Sequence, residues 1–364
     1  MCSRFRTKRI IIIKMDVQSH TMTSLLKSGL RQTTAASPVI GTVLMVAVTL
    51  VIAATLMILV MEMAEQAQPD ILFDEPYHQG TGTLDDPFLI RSIEQLSNLR
   101  QNLSAHYALE ADIDASATAD WNDGAGFLPI GDSDDRFLGS LDGRGHGISG
   151  LVIDRPSENS VALFSYLGSG SKISNLTLSD TDIGGRDFVS AISAWNYGTV
   201  VNVHVGGDID GRQWLGAITG RNHGTVDRCS SDSMISANGE RVGGLVAHNS
   251  GQGVIRDSYV LGAVASPGKE YVGGLLGSNA NNGIVERVYS AASVSGGTTN
   301  VGGLIGSNDG MVSRSYWDLQ TSGQATSGDG EGRTTAQMRS QGNYEDWNFT
   351  TVWSIQSGDY PRLR

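Results

Sequence analysis

Cysteine is nearly absent from this chain, which excludes a framework of intrachain disulfide bonds. The 364 residues include two cysteines, Cys2 and Cys229. We expect Cys2 to be removed with an N-terminal leader, so Cys229 has no partner for an intrachain disulfide. Stability must therefore come from packing, and a long stacked core would supply it.

Basic residues are scarce beyond the N-terminus, which argues against binding to nucleic acid. Residues 1–35 hold seven Lys or Arg and one acid, so residues 36–364 hold 19 basic and 37 acidic residues, a net charge of −18. Nucleic-acid phosphates require clustered Lys and Arg. The acidic composition suits a halophile, because concentrated ions screen self-repulsion, and it equally suits ordinary solubility.

Sequence patterns of common catalytic and metal sites are also missing. The chain has no Gly-x-Ser-x-Gly, P-loop or His-Glu-x-x-His pattern, and its seven histidines lack the spacing of a zinc site. We therefore predict no catalytic residues, no metal site and no cofactor. Acidic clusters occur at Asp132, Asp134 and Asp135 and at Asp329 and Glu331. We interpret them as solvated loops, with calcium binding as the alternative.

One long segment carries no charge. There is no charged residue between Arg31 and Glu62, and the 23 residues 39–61 are mostly apolar. As a helix they would be about 34 Å long at ~1.5 Å per residue, enough to cross a hydrocarbon core of ~30 Å. Basic residues precede the segment and acids follow it, so we expect the C-terminal bulk to lie outside the cell.

Three interpretations of this segment are open: a cleaved secretory signal, a signal anchor and a retained pilin-type helix. The sequence Ala36-Ser-Pro-Val-Ile-Gly41, followed by Val43-Leu-Met-Val-Ala-Val-Thr49, resembles the N-terminal segment of archaeal type IV pilins. The resemblance implies that a prepilin peptidase cuts near Ala35 and Ala36. The leader would be residues 1–35, or shorter if the true start is Met22. A transmembrane helix at residues 36–66 would be retained and would pack with other pilin subunits.

Internal repeats occupy the second half of the chain. Aligned copies begin at Val189, Leu215, Val242, Val272 and Val301, which are 26, 27, 30 and 29 residues apart, and a weaker copy begins at Val161. Each copy has Gly/Asn turns and three short segments of alternating apolar residues. This pattern predicts an all-β fold, a right-handed-type β-helix whose coils stack at ~4.8 Å.

Stacked coils would align equivalent residues in columns. Leu245, Leu275 and Leu304 would line the core. Recurrent glycines would leave room where the backbone is crowded. Recurrent asparagines would form a ladder of bonded amides, with a row of polar ligands as the alternative. The repeat glycines are Gly244, Gly274 and Gly303, and the ladder asparagines are Asn196, Asn222, Asn249, Asn279 and Asn308.

The best-preserved copies resemble a known motif. Val272-Gly-Gly-Leu-Leu-Gly-Ser-Asn279 and Val301-Gly-Gly-Leu-Ile-Gly-Ser-Asn308 are similar to the GLUG motif, named for its Gly-Leu-X-Gly core. In the earlier copies Ala191 and Ala217 replace the second glycine. GLUG repeats occur in large bacterial and archaeal surface proteins, so the resemblance implies a stalk or an adhesive surface.

The repeats set the expected domain boundaries. We predict a linker and N-terminal cap at residues 67–136, a GLUG-type solenoid at 137–316 and a C-terminal cap at 317–364. Ser92 is the expected N-cap of a helix at residues 93–102, and a second short helix is expected at residues 334–339. The C-terminal aromatic residues are interpreted as cover for the solenoid end, with a carbohydrate platform as the alternative.

These features together predict a pilin-like surface protein, membrane-anchored or assembled in a fibre, whose solenoid serves adhesion or surface structure. A surface polysaccharide is a candidate partner. A single-pass anchored protein that does not polymerise is the first alternative, and a secreted glycan-active enzyme is the second. The column that would have to carry an enzyme's site varies in charge: Asn175, Asn202, Arg228, Asp257, Arg287 and Arg314. Candidate N-glycosylation residues are Asn102, Asn175 and Asn348.

Overall fold

The computed structural model describes Val51 and residues 77–364 of the chain. The chain divides into two units, Met1–Asp74 and Glu75–Arg364, and the second contains every described residue except Val51. No helix within the described residues is long and apolar enough to cross a membrane. The predicted leader at residues 1–35 and, apart from Val51, the predicted helix at residues 36–66 lie outside the described residues.

The second unit is a stack of parallel β-coils that starts well before the sequence repeats. Phe88–Ile90 pairs in parallel with His106–Leu109, and that strand pairs with Ser140–Asp142. The predicted boundary at residue 137 therefore falls inside a continuous parallel ladder. The first elements are β1 (Phe88–Ile90), α1 (Ile93–Ser97), β2 (His106–Leu109), β3 (Ile113–Asp114), β4 (Ser140–Asp142), β5 (Gly147–Ser149) and β6 (Val152–Val161), with 3-10 segments at Asn98–Gln101 and Ser116–Gly124.

Six coils follow, and each starts at the apolar residue that opens a repeat: coil 1 at Val161, coil 2 at Val189, coil 3 at Leu215, coil 4 at Val242, coil 5 at Val272 and coil 6 at Val301. The solenoid prediction is thereby confirmed. Their strands are β7 (Phe164–Leu167), β8 (Lys172–Val189), β9 (Ser193–Asn196), β10 (Thr199–Gly211), β11 (Gln213–Leu215), β12 (Thr219–Asn222), β13 (Thr225–Asp227), β14 (Ser230–Ser231), β15 (Met234–Ala237), β16 (Val242–Gly243), β17 (Val246–Asn249), β18 (Val254–Arg256), β19 (Tyr259–Val260), β20 (Ala263–Ala265), β21 (Val272–Gly273), β22 (Leu276–Asn279), β23 (Ile284–Glu286), β24 (Tyr289–Ser290), β25 (Ser293–Ser295), β26 (Val301–Gly302), β27 (Ile305–Asn308), β28 (Met311–Ser313) and β29 (Tyr316–Asp318).

A complete coil has five short strands, where the sequence pattern indicated three. Coil 4 contains β16 to β20, and each of these strands pairs in parallel with its equivalent in coil 5. The alternating segment 255–259 is broken at Asp257, whose φ is 46°. A left-handed residue turns the chain through a corner and ends the strand. Apolar alternation continues across such a corner, so the sequence pattern did not reveal it.

The interior of the stack is apolar and closely packed. Leu245, Leu275 and Leu304 are fully buried in the main core cluster, which confirms their predicted position. One sheet contains β7, β9, β12, β17, β22 and β27 in spatial order, and most other strands belong to a second, wrapped sheet. Burial of each leucine side chain stabilises the folded state by roughly 1.5–3 kcal/mol. A column of buried leucines therefore favours stacking of the coils.

The C-terminal region continues from coil 6 and returns along the side of the coils. Its elements are α2 (Leu319–Ser322), β30 (Glu331–Arg333), α3 (Thr335–Met338), a 3-10 segment at Gln341–Asn343, β31 (Trp353–Ser354) and β32 (Arg362–Leu363). Thr334 caps α3 through a capping box, and the Ser92 hydroxyl accepts a hydrogen bond from the Gln95 backbone N–H at 3.3 Å. Both predicted helix starts are confirmed.

The C-terminal aromatic side chains are buried against outward-facing tyrosines of the coils. Trp353 is fully buried, and Tyr344 and Trp347 are 5% and 6% exposed. They pack with Tyr289 in one cluster, and the Tyr289 hydroxyl donates to the Pro361 carbonyl at 2.6 Å. Rings buried in this way serve as cover and are inaccessible to a carbohydrate.

Candidate functional site

The five recurrent asparagines lie in one column at the end of the strands β9, β12, β17, β22 and β27. The Nδ2 group of each donates to the Oδ1 atom of the next, at 2.8, 2.8, 2.9 and 2.8 Å from Asn196 to Asn308. Asn308 in turn donates to a carboxylate oxygen of Asp329 at 3.0 Å. In coil 1 the equivalent position is Leu167.

The same amides also bond the turns that follow them. Nδ2 groups of Asn222, Asn249, Asn279 and Asn308 donate to the carbonyls of the next turn glycines at 3.0–3.3 Å. The first four ladder asparagines are at most 1% exposed. Their polar atoms are occupied by protein groups and sealed from solvent, so this geometry offers little to a row of external ligands.

The repeat glycines stand where neighbouring coils approach most closely. A Cβ atom at Gly244, Gly274 or Gly303 would lie within 3.0 Å of another residue's atoms, including the carbonyl of the next coil's glycine at the first two positions. The preceding glycines Gly243 and Gly273 are equally confined, each by a backbone carbonyl of the following strand. The glycine pair therefore forms a tight corner, and the sequence analysis singled out one half of it.

The three candidate glycosylation residues differ in the solvent exposure and the hydrogen bonding of their side-chain amides. Asn102 is exposed, and its Oδ1 atom accepts from the Ser104 backbone at 3.3 Å. Asn175 is half-buried, and its amide bonds Asp142 and Asn202, both at 2.9 Å. Asn348 is exposed, but its amide bonds Thr350 and Thr351. Asn102 is the most accessible of the three.

The column of mixed charge occupies a corner of the coils, and its charged members form ion pairs. All six of its residues have φ between 46° and 55°. Arg287 forms two hydrogen bonds with Asp257, at 2.8 and 2.9 Å, and Trp353 also donates to Asp257. The described part of the chain contains no group of three His, Cys, Asp or Glu side chains arranged to hold a metal ion.

A different surface emerges on the outer side of the six-stranded sheet. The outward position just before each ladder asparagine forms a column of mostly flat side chains. Its members, in order along the stack, are Arg136, Tyr166, Trp195, Arg221, His248, Ser278 and Ser307. Five flat groups are thus followed by two serines in the last coils.

A second column lies at the left-handed corner before each coil's first apolar residue. Its members are Ser160, Phe188, Trp214, Arg241, Tyr271 and Asn300, with φ of 61°, 57°, 64°, 60°, 60° and 55°. Asn tolerates this conformation, whereas bulky residues there are uncommon and strained. Three of the six positions nevertheless carry aromatic rings.

The flat groups of both columns contact one another. Tyr166 and Trp195 are stacked, with ring centroids 5.6 Å apart, and Phe188 contacts both Trp195 and Trp214 at 4.8 and 5.0 Å. We call this surface the aromatic–arginine face; it comprises Arg136, Tyr166, Phe188, Trp195, Tyr197, Trp214, Arg221, His223, Arg241, His248 and Tyr271, all half-buried.

Each arginine of the aromatic–arginine face lies against two rings. The guanidinium carbon of Arg221 is 5.0 Å from the Trp195 ring centre and 5.7 Å from that of Trp214. Arg136 contacts Tyr166 and Tyr197, and Arg241 contacts Trp214 and Tyr271, at 4.7–5.8 Å. Such cation–π contacts hold a planar guanidinium in one orientation.

Two arginines, Arg221 and Arg241, lie against Trp214 at the centre of this face. Burial, followed by the charges of Arg221, Arg241 and His223, lowers the pKa of His248 to about 4. Arg221 forms no ion pair with any described residue, and its Nε group donates to the Ser250 hydroxyl at 3.4 Å. Arg241 is paired with Glu240 at 3.5 Å. The position before each ladder asparagine is visible in the repeat alignment, so the sequence carries a signal for this face.

Comparison with known proteins adds two family matches. Residues 34–71 match the family described as archaeal type IV pilin, N-terminal, and residues 238–265 match the GLUG motif. The chain carries an archaeal type IV pilin N-terminal segment and a GLUG motif. The GLUG match contains all five strands of coil 4. The pilin match contains the predicted cleavage residues Ala35 and Ala36, which lie outside the described residues.

Two curated relatives share most of the chain. "Halomucin" from Haloquadratum walsbyi is 38% identical over 308 residues, which are 79% of this chain and 3% of that protein. A "Putative Gly-rich membrane protein" from Evansella cellulosilytica is 29% identical over 388 residues, covering 78% of this chain and 45% of that protein. The chain therefore spans less than half the length of these relatives.

A solved structure has the same fold. The crystal structure of a "putative immunoglobulin A1 protease" from Bacteroides ovatus superimposes with a TM-score of 0.64, covering 81% of this chain and 97% of that one. The two sequences are 20% identical. Likeness at this level concerns the solenoid architecture alone, because one fold hosts many functions.

Proposed function

We propose that this chain is a pilin-like protein of the cell surface, with its pilin N-terminal segment in the membrane or a fibre and its GLUG solenoid outside. The observation that carries the proposal is the family match at residues 34–71, joined to an uncharged segment at residues 39–61. One relative's name describes a membrane protein, which supports the same placement.

The solenoid in this proposal is a non-enzymatic surface for adhesion or surface structure. Support comes from the column of mixed charge, whose Asp257 and Arg287 are paired with each other. Support also comes from the names of the two relatives, neither of which describes an enzyme. Incubation with a polysaccharide panel and with peptide substrates tests this, and turnover of any of them would contradict it.

The deciding experiment is to determine the mature N-terminus. The full chain is expressed in an archaeal host, and in the same host without its prepilin peptidase, and membrane protein is analysed by mass spectrometry. We expect a start near Ala36, with residues 39–61 retained, in the first host and an uncut chain in the second. A start beyond Met61 in both hosts would indicate an ordinary secreted protein and refute the proposal.

Polymerisation is a separate matter from processing. A single-pass anchored protein that never joins a fibre is the second candidate, favoured by the membrane protein among the relatives. Shearing cells and collecting fibres separates the two. Recovery of the processed chain in the fibre fraction supports assembly with other pilin subunits, whereas recovery only in the membrane fraction supports the anchored form.

A further inference from the structure

We propose that the aromatic–arginine face binds an acidic polysaccharide chain, with Arg221 as the central contact for its anionic groups. This inference rests on the proposed role of the solenoid as an adhesive surface and names both the place and the class of partner. Its support comes from the orientation of the arginines, from local charge, from the distribution of the rings along the stack and from an adjoining cleft.

The arginines of this face are ordered by ring contacts in a way that suits binding of planar anions. Arg136, Arg221 and Arg241 each contact two rings, which restrict the plane of the guanidinium. Arg221 forms no ion pair with a described residue, whereas Arg241 is paired with Glu240, so Arg221 is the central contact. A guanidinium recognises carboxylate or sulfate through two parallel hydrogen bonds. Because the side chains are already ordered, binding loses less conformational entropy than it would with mobile arginines.

The local charge is opposite to that of the rest of the chain. Residues 36–364 carry a net charge of −18, yet the eleven residues of the aromatic–arginine face include three arginines and no carboxylate. In agreement, burial and then the charges of Arg221, Arg241 and His223 lower the pKa of His248. A confined positive patch on an acidic protein selects for a sparsely charged polyanion. Nucleic acid is disfavoured, because its dense phosphates would meet the surrounding carboxylates.

Coil stacking alone does not require these rings. In coils 5 and 6 the first column continues with Ser278 and Ser307, and the second column ends with Asn300, although the ladder beneath them is unchanged. Phe188 and Trp214 occupy a left-handed corner, a backbone conformation that is strained for bulky side chains. The rings of the earlier coils therefore call for a reason beyond packing, and contact with a ligand supplies one.

An open cleft of about 820 Å³ adjoins the face at Tyr166 and Ser160. Its lining includes Asn102 and Asn159, whose amides can both donate to and accept from sugar hydroxyls. It also includes the carboxylates of Asp132, Asp135 and Glu158, which repel anionic groups, so the cleft suits the hydroxyls of the chain and not its charges. Arg136 and Arg221 are three coils apart in one column, about 14 Å at ~4.8 Å per coil. The columns and the cleft together form an extended track for a linear chain, with its anionic groups at the arginines of the columns and its hydroxyls in the cleft.

Binding is tested with the full-length protein in non-ionic detergent at 0.15 M salt. Hyaluronate and polygalacturonate are titrated, with neutral dextran, polyglutamate and double-stranded DNA as comparisons. Tryptophan fluorescence is the readout, because Trp195 and Trp214 flank Arg221. We expect saturable binding of at least one anionic polysaccharide, weakened by added salt, and little response to the other three.

Two matched variants locate the site. Arg221→Gln should raise the dissociation constant about tenfold, the loss of one charge-assisted hydrogen-bonding group. Arg228→Gln removes the same charge from an exposed corner without ring contacts and should change nothing. Trp214→Ser installs the residue that Ser160 already provides at the same corner, so it should fold and still bind less tightly. Thermal unfolding verifies that all three variants are folded.

Several results would overturn the proposal: no binding of either anionic polysaccharide, equal binding of neutral dextran, polyglutamate or DNA, or equal losses in the Arg221 and Arg228 variants. The mature N-terminus is determined on the same protein from the archaeal host. A correctly processed chain that fails to bind would refute the polysaccharide site alone, whereas a chain that binds but is not processed would refute the pilin assignment alone.

Discussion

At the scale of single residues, the asparagine ladder is the most sensitive polar feature of the solenoid. Asn249 is fully buried, receives a hydrogen bond from Asn222 and donates to both Asn279 and the Gly253 carbonyl. Removing it leaves buried polar atoms of the neighbouring rungs without partners. An unsatisfied buried group costs about 1–3 kcal/mol.

We therefore predict that Asn249→Ala lowers the free energy of unfolding by about 1–3 kcal/mol, measured by denaturant titration. Asn308→Ala is the matched control at the half-buried end of the ladder. It should lose less, because water can satisfy the groups it exposes. Equal losses at the two positions would mean that the ladder hydrogen bonds are not responsible.

A second residue-scale prediction concerns the crowded glycine corner. Gly274→Ala would place a methyl group within 3.0 Å of the Gly303 carbonyl and the Ser290 hydroxyl. Overpacking of this kind lowers stability by about 1–3 kcal/mol. Gly342→Ala is the control, because no atom lies within 4 Å of the added methyl. Comparable melting temperatures of the two variants would contradict the crowding argument.

At the scale of elements, the C-terminal segment stabilises the coils by covering their tyrosine column. Trp353 lies at its centre: it is fully buried, its ring is 4.3 Å from Trp347, and its indole N–H donates to Asp257. The segment joins residues far apart in the chain, so it should unfold together with the coils it covers.

Trp353→Ala should lower the free energy of unfolding by about 3–5 kcal/mol, the usual range for deleting a buried large aromatic side chain. Trp121→Ala is the comparison, since Trp121 is only partly buried against the core. Near-ultraviolet circular dichroism during denaturation reports the loss of ring packing. A Trp353 variant as stable as the Trp121 variant would show that the C-terminal segment adds little to the coils.

The coils could be predicted from the sequence because each coil packs the same kind of residue at the same position of the core. Leu245, Leu275 and Leu304 recur at nearly constant spacing, since each must fill the same place in the core. The corner at Asp257 was not predicted, because a left-handed residue leaves the apolar alternation intact. The start of the parallel ladder at Phe88 was not predicted either, because β1 and β2 pair in parallel like the later strands but lack the glycines of the repeats.

The aromatic–arginine face was not predicted for a related reason. Its members change identity from coil to coil, as with Tyr166, Trp195 and Arg221, so no residue recurs to draw attention to the column. A repeat alignment shows what the fold requires of every coil. Positions that vary along the stack are the places where the chain can carry a function.

At the scale of the whole molecule, the excess of acidic residues brings several carboxylates close together on the coils. On one side of the coils, Asp154 and Asp210 both point toward the space beside Gly184. Burial, followed by the charges of Asp182, Asp154 and Asp208, raises the pKa of Asp210. A folded-state pKa above the unfolded value means that the charged carboxylate disfavours the fold, and that stability at this position falls as pH rises through the folded pKa.

We predict that Asp210→Asn raises the melting temperature at pH 7 and low salt, because the amide resembles the favoured neutral form. The gain should correspond to about 1 kcal/mol or less, as for other partly exposed charge interactions. It should shrink at ~1 M salt, where the screening length falls to ~3 Å, and again below the pKa of Asp210, where the wild-type carboxyl is protonated. Asp85→Asn, at an exposed loop position, removes the same charge and should have no effect. A gain that persists in high salt would mean that burial of the Asp210 charge, and not repulsion by its neighbours, limits stability here. A gain that disappears would tie the stability of this acidic solenoid to the salt around it.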